Sequence, residues 1–308
     1  MRLYIAGING MVGSAIALEA QKAGFEVLGK SSKDLDFTDR TKVFSELKEK
    51  KPDALVIAAA KVGGIGANSA YPVDFLSINL QIQTNLIDAA HVADIERVLF
   101  LGSSCIYPKF APQPMVESSL LTGTLEPTNE PYAIAKIAGL KLIEAYRRQF
   151  GRQWISAMPT NLYGPRDNFD LEGAHVLPAL IHRFHDAKVN GRPEVVIWGD
   201  GTPLREFLFV EDLARATLVL LEKYNQAEPI NVGSNLEISI AHLAVMVAKI
   251  IGFNGALNLD KDKPNGTPRK LLDSSRISKL GWKPQVNLED GISATYDWFM
   301  NNQKLGAQ

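Results

Sequence analysis

The chain has few of the features that take a sequence out of the ordinary globular class. A single cysteine among 308 residues excludes an internal disulfide and fits a reducing compartment. The net charge is −1 and no basic run is present, so we expect neither a nucleic-acid partner nor a membrane surface. No apolar run approaches the ~18 residues that a bilayer requires. These absences predict a cytoplasmic protein without a membrane anchor.

Short apolar runs alternate with amphipathic stretches along the first half of the chain. Turn-forming residues bound five runs that predict strands, namely Leu3–Ala6, Glu26–Leu28, Ala54–Ala58, Val98–Leu101 and Ile155–Met158. The stretches between them carry apolar side chains at the spacing that is typical of helices. This alternation predicts an α/β protein with a doubly wound parallel sheet, as in Rossmann folds.

The regular alternation fades after about Pro165. Residues 1–165 are therefore expected to form the larger, Rossmann domain. Residues 166–205 and 225–308 are expected to form a smaller, mostly C-terminal α/β lobe that binds the substrate. Residues 206–224 contain a helical pattern and are expected to return to the larger domain.

A glycine-rich loop follows the first predicted strand and opens the first predicted helix. It reads Gly7-Ile8-Asn9-Gly10-Met11-Val12-Gly13. In such a strand–turn–helix the first glycine allows the tight turn, the second lets a pyrophosphate approach the backbone, and the third lets helix and strand pack closely. The pyrophosphate then lies on the free N–H groups of the helix N-terminus. All seven residues are therefore predicted to bind a dinucleotide.

The end of the second strand indicates which dinucleotide is bound. NAD sites usually place a carboxylate there for the ribose hydroxyls, whereas NADP sites place basic or hydroxyl residues. Here the strand runs into Lys30, Ser31 and Ser32. Lys30 could pair with the 2′-phosphate and either serine could donate a hydrogen bond to it, although Lys30 as a solvated loop charge is an alternative. We predict NADPH as the cofactor and no metal site.

Three residues have the types and the order that hydride transfer needs. Ser103 follows the strand Val98–Leu101, where ligands bind in open α/β sheets. Tyr132 and Lys136 are spaced i and i+4 and so share a helix face. A phenol has a pKa of ~10, and we expect the nearby ammonium to lower it. Ser103 would hold the substrate oxygen that Tyr132 protonates, while Lys136 would bind the nicotinamide ribose.

Cys105 and His175 suggest a second kind of chemistry. Free cysteines are most often buried packing residues, and a histidine at the start of a helix can cap it or pack. Cys105 nevertheless lies two residues from Ser103. Facing each other across a sugar ring, Cys105 and His175 could remove and return protons next to a ketone, since inversion requires a group on each face.

Long stretches of the sequence resemble one family of enzymes. They are Gly7–Ile16, Ala59–Ile65, Gly102–Pro108, Pro127–Lys136, Pro159–Pro165, Trp198–Gly199 with Arg205–Phe207, and Gly266–Asp273. On these motifs the chain resembles the GDP-L-fucose synthases, which are extended short-chain dehydrogenases, almost from end to end.

The resemblance implies a homodimeric, NADPH-dependent epimerase-reductase that converts GDP-4-keto-6-deoxy-D-mannose to GDP-L-fucose. It implies that Cys105 as base and His175 as acid exchange the protons at C3 and C5. Ser103, Tyr132 and Lys136 would then support reduction at C4. Further cofactor contacts are implied for Leu101, Gly102, Ser103, Ser104, Lys136, Pro159, Thr160, Asn161 and Leu162. Substrate contacts are implied for His175, Arg183, Trp198, Arg205, Asn265, Arg269 and Lys270.

Two positions depart from the family pattern. Asn9 stands where family members often carry an arginine that contacts the 2′-phosphate, so Lys30 and the adjacent serines must do more. Asn265 stands where an aspartate is common and brings no charge. The alternatives are another nucleotide-sugar enzyme of the superfamily, such as a 4-epimerase or a 4,6-dehydratase, and a non-catalytic NADP-binding protein.

Overall fold

The computed structural model describes residues 1–263 and 265–302 of the chain. In chain order its elements are β1 (Arg2–Ala6), α1 (Met11–Lys22), β2 (Glu26–Lys30), α2 (Arg40–Lys50), β3 (Ala54–Ile57), α3 (Ile65–Ala70), α4 (Pro72–Val92), β4 (Arg97–Leu101), α5 (Glu130–Phe150), β5 (Ile155–Pro159), β6 (Asn161–Tyr163), α6 (Val176–Val189), β7 (Glu194–Trp198), β8 (Leu204–Phe209), α7 (Val210–Lys223), β9 (Ile230–Val232), β10 (Glu237–Ser239), α8 (Ile240–Ile251), β11 (Ala256–Asp260), β12 (Arg269–Lys270), α9 (Ser275–Lys279) and α10 (Leu288–Asn302). Within these described residues, no helix has the length and apolar character needed to cross a membrane.

Six strands form one parallel sheet in the order β2-β1-β3-β4-β5-β9. Every neighbouring pair is parallel. Leu3 of β1 lies opposite Val27 of β2 on one side and Ala54 of β3 on the other. The strands β1, β3 and β4 are almost wholly buried, as expected when helices cover both faces of a parallel sheet. The predicted doubly wound, Rossmann-like α/β fold is confirmed.

Side chains of each strand alternate between two apolar layers. Tyr4 and Ala6 belong to a core shared with α2, α4 and α5, whereas Leu3 and Ile5 belong to a core shared with α1, α7 and α9. This alternation is the period of two that a pleated strand imposes. The sheet is therefore covered on both faces, and its carboxyl edge is left open to ligands.

The smaller lobe has its own sheets and its own core. β8 pairs with β10 and β12, and its last three residues pair with β6. A separate parallel pair joins β7 to β11. The helices α6, α8 and α10 supply the third apolar core, around Phe184, Leu243 and Phe299.

The sheets cross the predicted domain boundaries. β8, which overlaps the stretch 206–224, lies in the smaller lobe, whereas α7 packs on the large sheet. β9, in the stretch assigned to the smaller lobe, pairs with β5 and completes the large sheet. The reason is that β9 is a short, fully buried strand, with Ile230 and Val232 on either side of Asn231, that extends a parallel edge. The division into a cofactor domain and a substrate lobe stays a proposal, with an interleaved chain between them.

A buried carboxylate ties the two lobes together. Glu206 on β8 is fully buried and accepts hydrogen bonds from the backbone N–H groups of Asn235 at 2.7 Å and Leu272 at 3.0 Å. Burial raises the pKa of Glu206, and these backbone hydrogen bonds oppose that rise. The contact to Leu272 holds the segment that contains β12 against β8.

We expect Gly13→Ala to destabilise the fold, because a Cβ at this position would overlap the carbonyl of Gly7. Overpacking of backbone against backbone costs about 1–3 kcal/mol. Gly10→Ala is the matched control, since its Cβ would meet only the Gly7 carbonyl oxygen, at 3.4 Å. Urea unfolding should show a loss for the first variant and a much smaller change for the second. Equal stabilities would contradict the close packing of α1 on the loop.

Candidate active site

The glycine loop has the geometry of an anion cradle at the carboxyl end of β1. Gly7 adopts φ +87°, where a side chain would be strained, and its added Cβ would lie 3.0 Å from the backbone of Ala59. The N–H of Gly10 donates to the carbonyl of Gly7 at 3.0 Å and closes the turn. Gly10 is also the N-cap of α1 and has no side chain to cover the first-turn N–H groups. These features fit the pyrophosphate of a dinucleotide.

The end of β2 differs from the sequence expectation in one respect. Ser31 is buried, and its hydroxyl donates to the carboxylate of Asp34 at 2.6 Å. Hydrogen bonds from the side chain and backbone of Ser31 lower the pKa of Asp34. The hydroxyl proton of Ser31 is therefore used in the hydrogen bond to Asp34 and is not free for a phosphate. Lys30 and Ser32 remain as the predicted donors to the 2′-phosphate.

The segment after β4 brings the three predicted hydride-transfer residues together. Ser103 caps a short 3₁₀ turn, Ser104–Ile106, by accepting from the N–H of Cys105 at 3.2 Å, and its hydroxyl lies close enough to Tyr132 to act on the pKa of that phenol. Lys136 is buried on α5, with Nζ 2.8 Å from the carbonyl oxygen of Leu101 and 5.8 Å from the ring centroid of Tyr132.

The expected lowering of the Tyr132 pKa is wrong for this structure. Burial raises it and the neighbouring Cys105 adds to the rise, while the hydrogen bond with Ser103 opposes it. Lys136 is itself desolvated, and burial lowers its pKa to about 8. Burial thus dominates the pKa of the phenol, and Tyr132 keeps its proton at neutral pH.

Cys105 lies between two nitrogen donors from distant parts of the chain. Lys270 Nζ is 3.3 Å from its Sγ, and Asn129 Nδ2 is 3.4 Å from the same atom. Burial acts to raise the pKa of the thiol, but Lys270, Ser103 and Arg205 together outweigh burial and lower it. The thiol is therefore in an electropositive setting rather than in an apolar core.

His175 is the N-cap residue of α6, and its position depends on a loop of the large domain. The N–H of Gly64 donates to the carbonyl of Gly173 at 2.9 Å, two residues before His175. A Cβ on Gly64 would press on the carbonyl oxygen of Ala174. His175 keeps part of its surface open to solvent, while the protein atoms crowded around it first and Lys270 second lower its pKa. Lys270 thus acts electrostatically on both Cys105 and His175.

Two of the predicted substrate residues form an aromatic and cationic surface. Trp198 is 55% exposed, and the Cζ of Arg183 lies 5.7 Å from its ring centroid. The Nζ of Lys263, a residue that the sequence analysis did not single out, lies 5.6 Å from the same centroid. An exposed indole between two cations suits a base with an attached phosphate.

Other predicted substrate residues have protein partners. Arg269 pairs with Glu237 at 2.8 Å, on the strand face opposite to Lys270. Asn265 accepts through Oδ1 from the N–H of Asp200 at 2.9 Å and so shapes its loop. Arg205 interacts electrostatically with Cys105 and with Glu126, which places it at the site.

The remaining predicted cofactor residues line the sheet edge beside the glycine loop. Leu101 and Gly102 end β4, and a Cβ on Gly102 would overlap Met158. Thr160 and Asn161 follow β5, and both donate side-chain hydrogen bonds to the carbonyl of Glu206. Those bonds give them a role in joining the lobes.

Asn129 and Asn79 were missed by the sequence reasoning. Asn79, buried on α4, accepts from the N–H of Lys61 and donates to its carbonyl, which holds the loop that reaches Gly173. The signal for Asn129 was its place three residues before Tyr132. In the part of the chain that is described, no group of three or more His, Cys, Asp or Glu side chains could hold a metal ion.

Comparison with known proteins places this geometry in a family. The model of the NAD dependent epimerase/dehydratase family matches residues 3–233. GDP-L-fucose synthase 1 of Arabidopsis thaliana is 56% identical over 98% of this chain and 94% of its own length. The chain belongs to the NAD dependent epimerase/dehydratase family, among its GDP-L-fucose synthases.

Other relatives agree with this placement. GDP-L-fucose synthase of Escherichia coli is 50% identical over 98% of this chain and 97% of its own length. A GDP-L-fucose synthetase from Naegleria fowleri, solved with NADP bound, superposes with a TM-score of 0.90 at 27% identity, covering 98% of this chain and 95% of that one. The family predicted from the motifs is confirmed.

We expect Gly64→Ala to raise the pKa of His175 toward its ordinary value. The added Cβ would push away the Gly173–Ala174 segment, and His175 would move out of its desolvated position near Lys270. NMR titration of the His175 imidazole measures this shift directly. Gly66→Ala is the control, because the nearest atom to its Cβ is the Glu172 carbonyl oxygen at 3.9 Å. Identical titrations for the two variants would rule out the loop as the support of His175.

Proposed function

We propose that this chain is a GDP-L-fucose synthase, which epimerises GDP-4-keto-6-deoxy-D-mannose at C3 and C5 and then reduces C4 with NADPH. The observation that carries the proposal is one set of contacts around Ser103. Its hydroxyl accepts from the N–H of Cys105 and lies close enough to Tyr132 to act on the pKa of that phenol, and the thiol of Cys105 contacts Lys270. A hydride-transfer phenol and a basic thiol therefore share one pocket, as a two-stage reaction on one sugar requires.

The cofactor site fits NADPH. The turn at Gly7 and the uncovered N-terminus of α1 supply the pyrophosphate cradle. At the adenosine end Lys30 supplies a cation, and its backbone carbonyl accepts from the N–H groups of Gly7 and Ile8, which holds it beside the loop. NADPH supplies the hydride for the reduction, and Lys136 is the residue proposed to hold its nicotinamide ribose.

Epimerisation is assigned to Cys105 as base and His175 as acid. The Cys105 thiolate takes a proton from the carbon next to the C4 ketone, and the electron pair moves into the ketone as an enolate. His175 gives a proton to the opposite face of that carbon, which inverts it and restores the ketone. The lowered pKa of Cys105 supports its role as base, since the thiolate is the active form.

Reduction uses a group that is still protonated. The raised pKa of Tyr132 leaves it a phenol at neutral pH, so it can donate its proton to the C4 oxygen as hydride reaches the carbon. Ser103 holds the same oxygen through its hydroxyl. We propose that Trp198 and Arg183 bind the GDP portion, and that Arg205 approaches the sugar near Cys105.

The test is turnover with purified protein, NADPH and GDP-4-keto-6-deoxy-D-mannose in deuterated water. We expect one NADPH oxidised for each sugar, with deuterium at C3 and C5 of the product by NMR. Oxidation without deuterium would leave a plain 4-ketoreductase. No oxidation would return the alternatives, a cofactor-recycling enzyme or a cofactor sensor. Homodimer formation and a cytoplasmic location stay predictions of the family resemblance.

Single substitutions should impair epimerisation and reduction separately. Cys105→Ser is expected to slow deuterium incorporation by roughly 100-fold or more while NADPH affinity changes little, since a general base contributes 10²–10⁴-fold. Tyr132→Phe should instead suppress NADPH oxidation and leave the exchange measurable. Each variant is the control for the other. Loss of both stages to the same degree in both variants would contradict the division of roles.

Lys30→Glu should reduce the preference for NADPH over NADH. A charged hydrogen bond to phosphate contributes ~1.5–3 kcal/mol, so the ratio of kcat/KM values for the two cofactors is expected to fall roughly tenfold or more. Lys48→Glu makes the same change of net charge on the exposed last turn of α2, away from the carboxyl edge of the sheet. An unchanged ratio in Lys30→Glu would remove Lys30 from the 2′-phosphate site.

A further inference from the structure

Lys270 lies against the thiol of Cys105 although the two residues are 165 positions apart. The family resemblance implied only a substrate contact for Lys270. Its Nζ instead lies 3.3 Å from Sγ, and the amide nitrogen of Asn129 approaches the same sulfur at 3.4 Å. We propose that Lys270 is a positioning residue that holds Cys105 as a thiolate, with Asn129 as the second donor.

The donor chemistry favours this assignment. An ammonium donates hydrogen bonds and accepts none, and the nitrogen of a side-chain amide also only donates. Two such donors aimed at one sulfur match a thiolate, which is an acceptor. Ser103 is the third neighbour, through its hydroxyl.

The small sheet explains why Lys270 rather than its neighbour reaches the sulfur. β12 pairs with β8 so that Lys270 stands opposite Arg205 and Arg269 opposite Leu204. Side chains of register partners share a face of a sheet, and successive residues alternate. Lys270 and Arg205 therefore both face Cys105, whereas Arg269 faces away and pairs with Glu237.

The titratable groups around the thiol come from four parts of the fold. Lys270 arrives from β12, Arg205 from β8, Tyr132 from α5 and His175 from the start of α6, and all four interact electrostatically with Cys105 or with Lys270. Glu126 belongs to the same cavity and pairs with Lys109 at 2.8 Å. Among these groups Lys270 and Arg205 act against the burial of Cys105, and Lys270 is the larger of the two influences.

The proposal rests on the proposed function, because it explains how a base for epimerisation is ready before substrate binds. It also changes which residues are expected to bind the diphosphate of the substrate. Since Lys270 is occupied by the thiolate, the cations beside the exposed Trp198 ring, Arg183 and Lys263, are the better candidates for that anion.

The single cysteine makes a direct test possible. Alkylation by iodoacetamide can label only Cys105 among the thiols of this chain, and its rate follows the thiolate fraction. The rate is measured from pH 5 to 10 without substrate or cofactor, by mass spectrometry of the folded protein. Lys270→Met removes the charge and keeps an unbranched side chain. We expect the midpoint to rise by roughly 1 pH unit or more, because an opposite charge at this distance shifts a pKa by about 1–3 units.

Three further variants keep the test decisive. Lys270→Arg retains a cation and should keep the midpoint near that of the unmodified chain. Arg269→Met removes a neighbouring cation from the opposite strand face and should leave the midpoint unchanged. Asn129→Ala should raise the midpoint less than Lys270→Met does.

One result would overturn the proposal: equal midpoints in Lys270→Met, Arg269→Met and the unmodified chain. A raised KM for the GDP-sugar in Lys270→Met, together with an unchanged alkylation profile, would return Lys270 to the substrate. Because alkylation needs no substrate, this failure is distinct from failure of the proposed function, which is tested by turnover.

Discussion

The site depends on the buried carboxylate of Glu206. Its oxygens accept from the N–H groups of Asn235 and Leu272, so one side chain fixes the loop after β9 and the segment that carries β12. A buried carboxylate is tolerated only when its oxygens are hydrogen-bonded, and removing such partners costs several kcal/mol. The carbonyl of the same residue accepts from Asn161, at the edge of the large sheet. One residue that takes no part in the chemistry therefore joins segments of both lobes.

Burial and one ammonium set the protonation states inside the cleft. Burial raises the pKa of Tyr132 and lowers that of Lys136, while at Cys105 burial is outweighed by Lys270 together with Ser103 and Arg205. The result is a protonated phenol beside a thiol whose pKa is lowered. These shifts suit a proton donor for reduction and a base for epimerisation.

His175 has a different balance. Its pKa is lowered, so its neutral form dominates at neutral pH, and any proton that it donates must be regained in each turnover. Its side chain is exposed to solvent, which provides the path for that proton. The role of acid therefore depends on access to water as much as on the position of the ring. The loop around Gly64 keeps the ring at that boundary.

Local patterns were sufficient for the large domain. Buried strands such as β1 appear in the sequence as short apolar runs. A glycine-rich loop such as Gly7–Gly13 between a strand and a helix can adopt few conformations. Both features could therefore be predicted from neighbouring residues. The parallel sheet then brought Ser103 beside the loop, because carboxyl ends of parallel strands share an edge. The place of β9 was missed, since a strand of three residues is too short to show a period by which to choose a sheet.

The sequence by itself determined the fold class, the dinucleotide loop and the spacing that sets Tyr132 and Lys136 on one helix face. Only the tertiary structure decided that Lys270 meets Cys105, that Ser31 is taken by Asp34 and that Arg269 turns away to Glu237. It also reversed the expected shift of the Tyr132 pKa. The physical reason is that spacing along a strand or helix sets which residues share a face. Solvation and long-range partners are set by how the lobes close on each other.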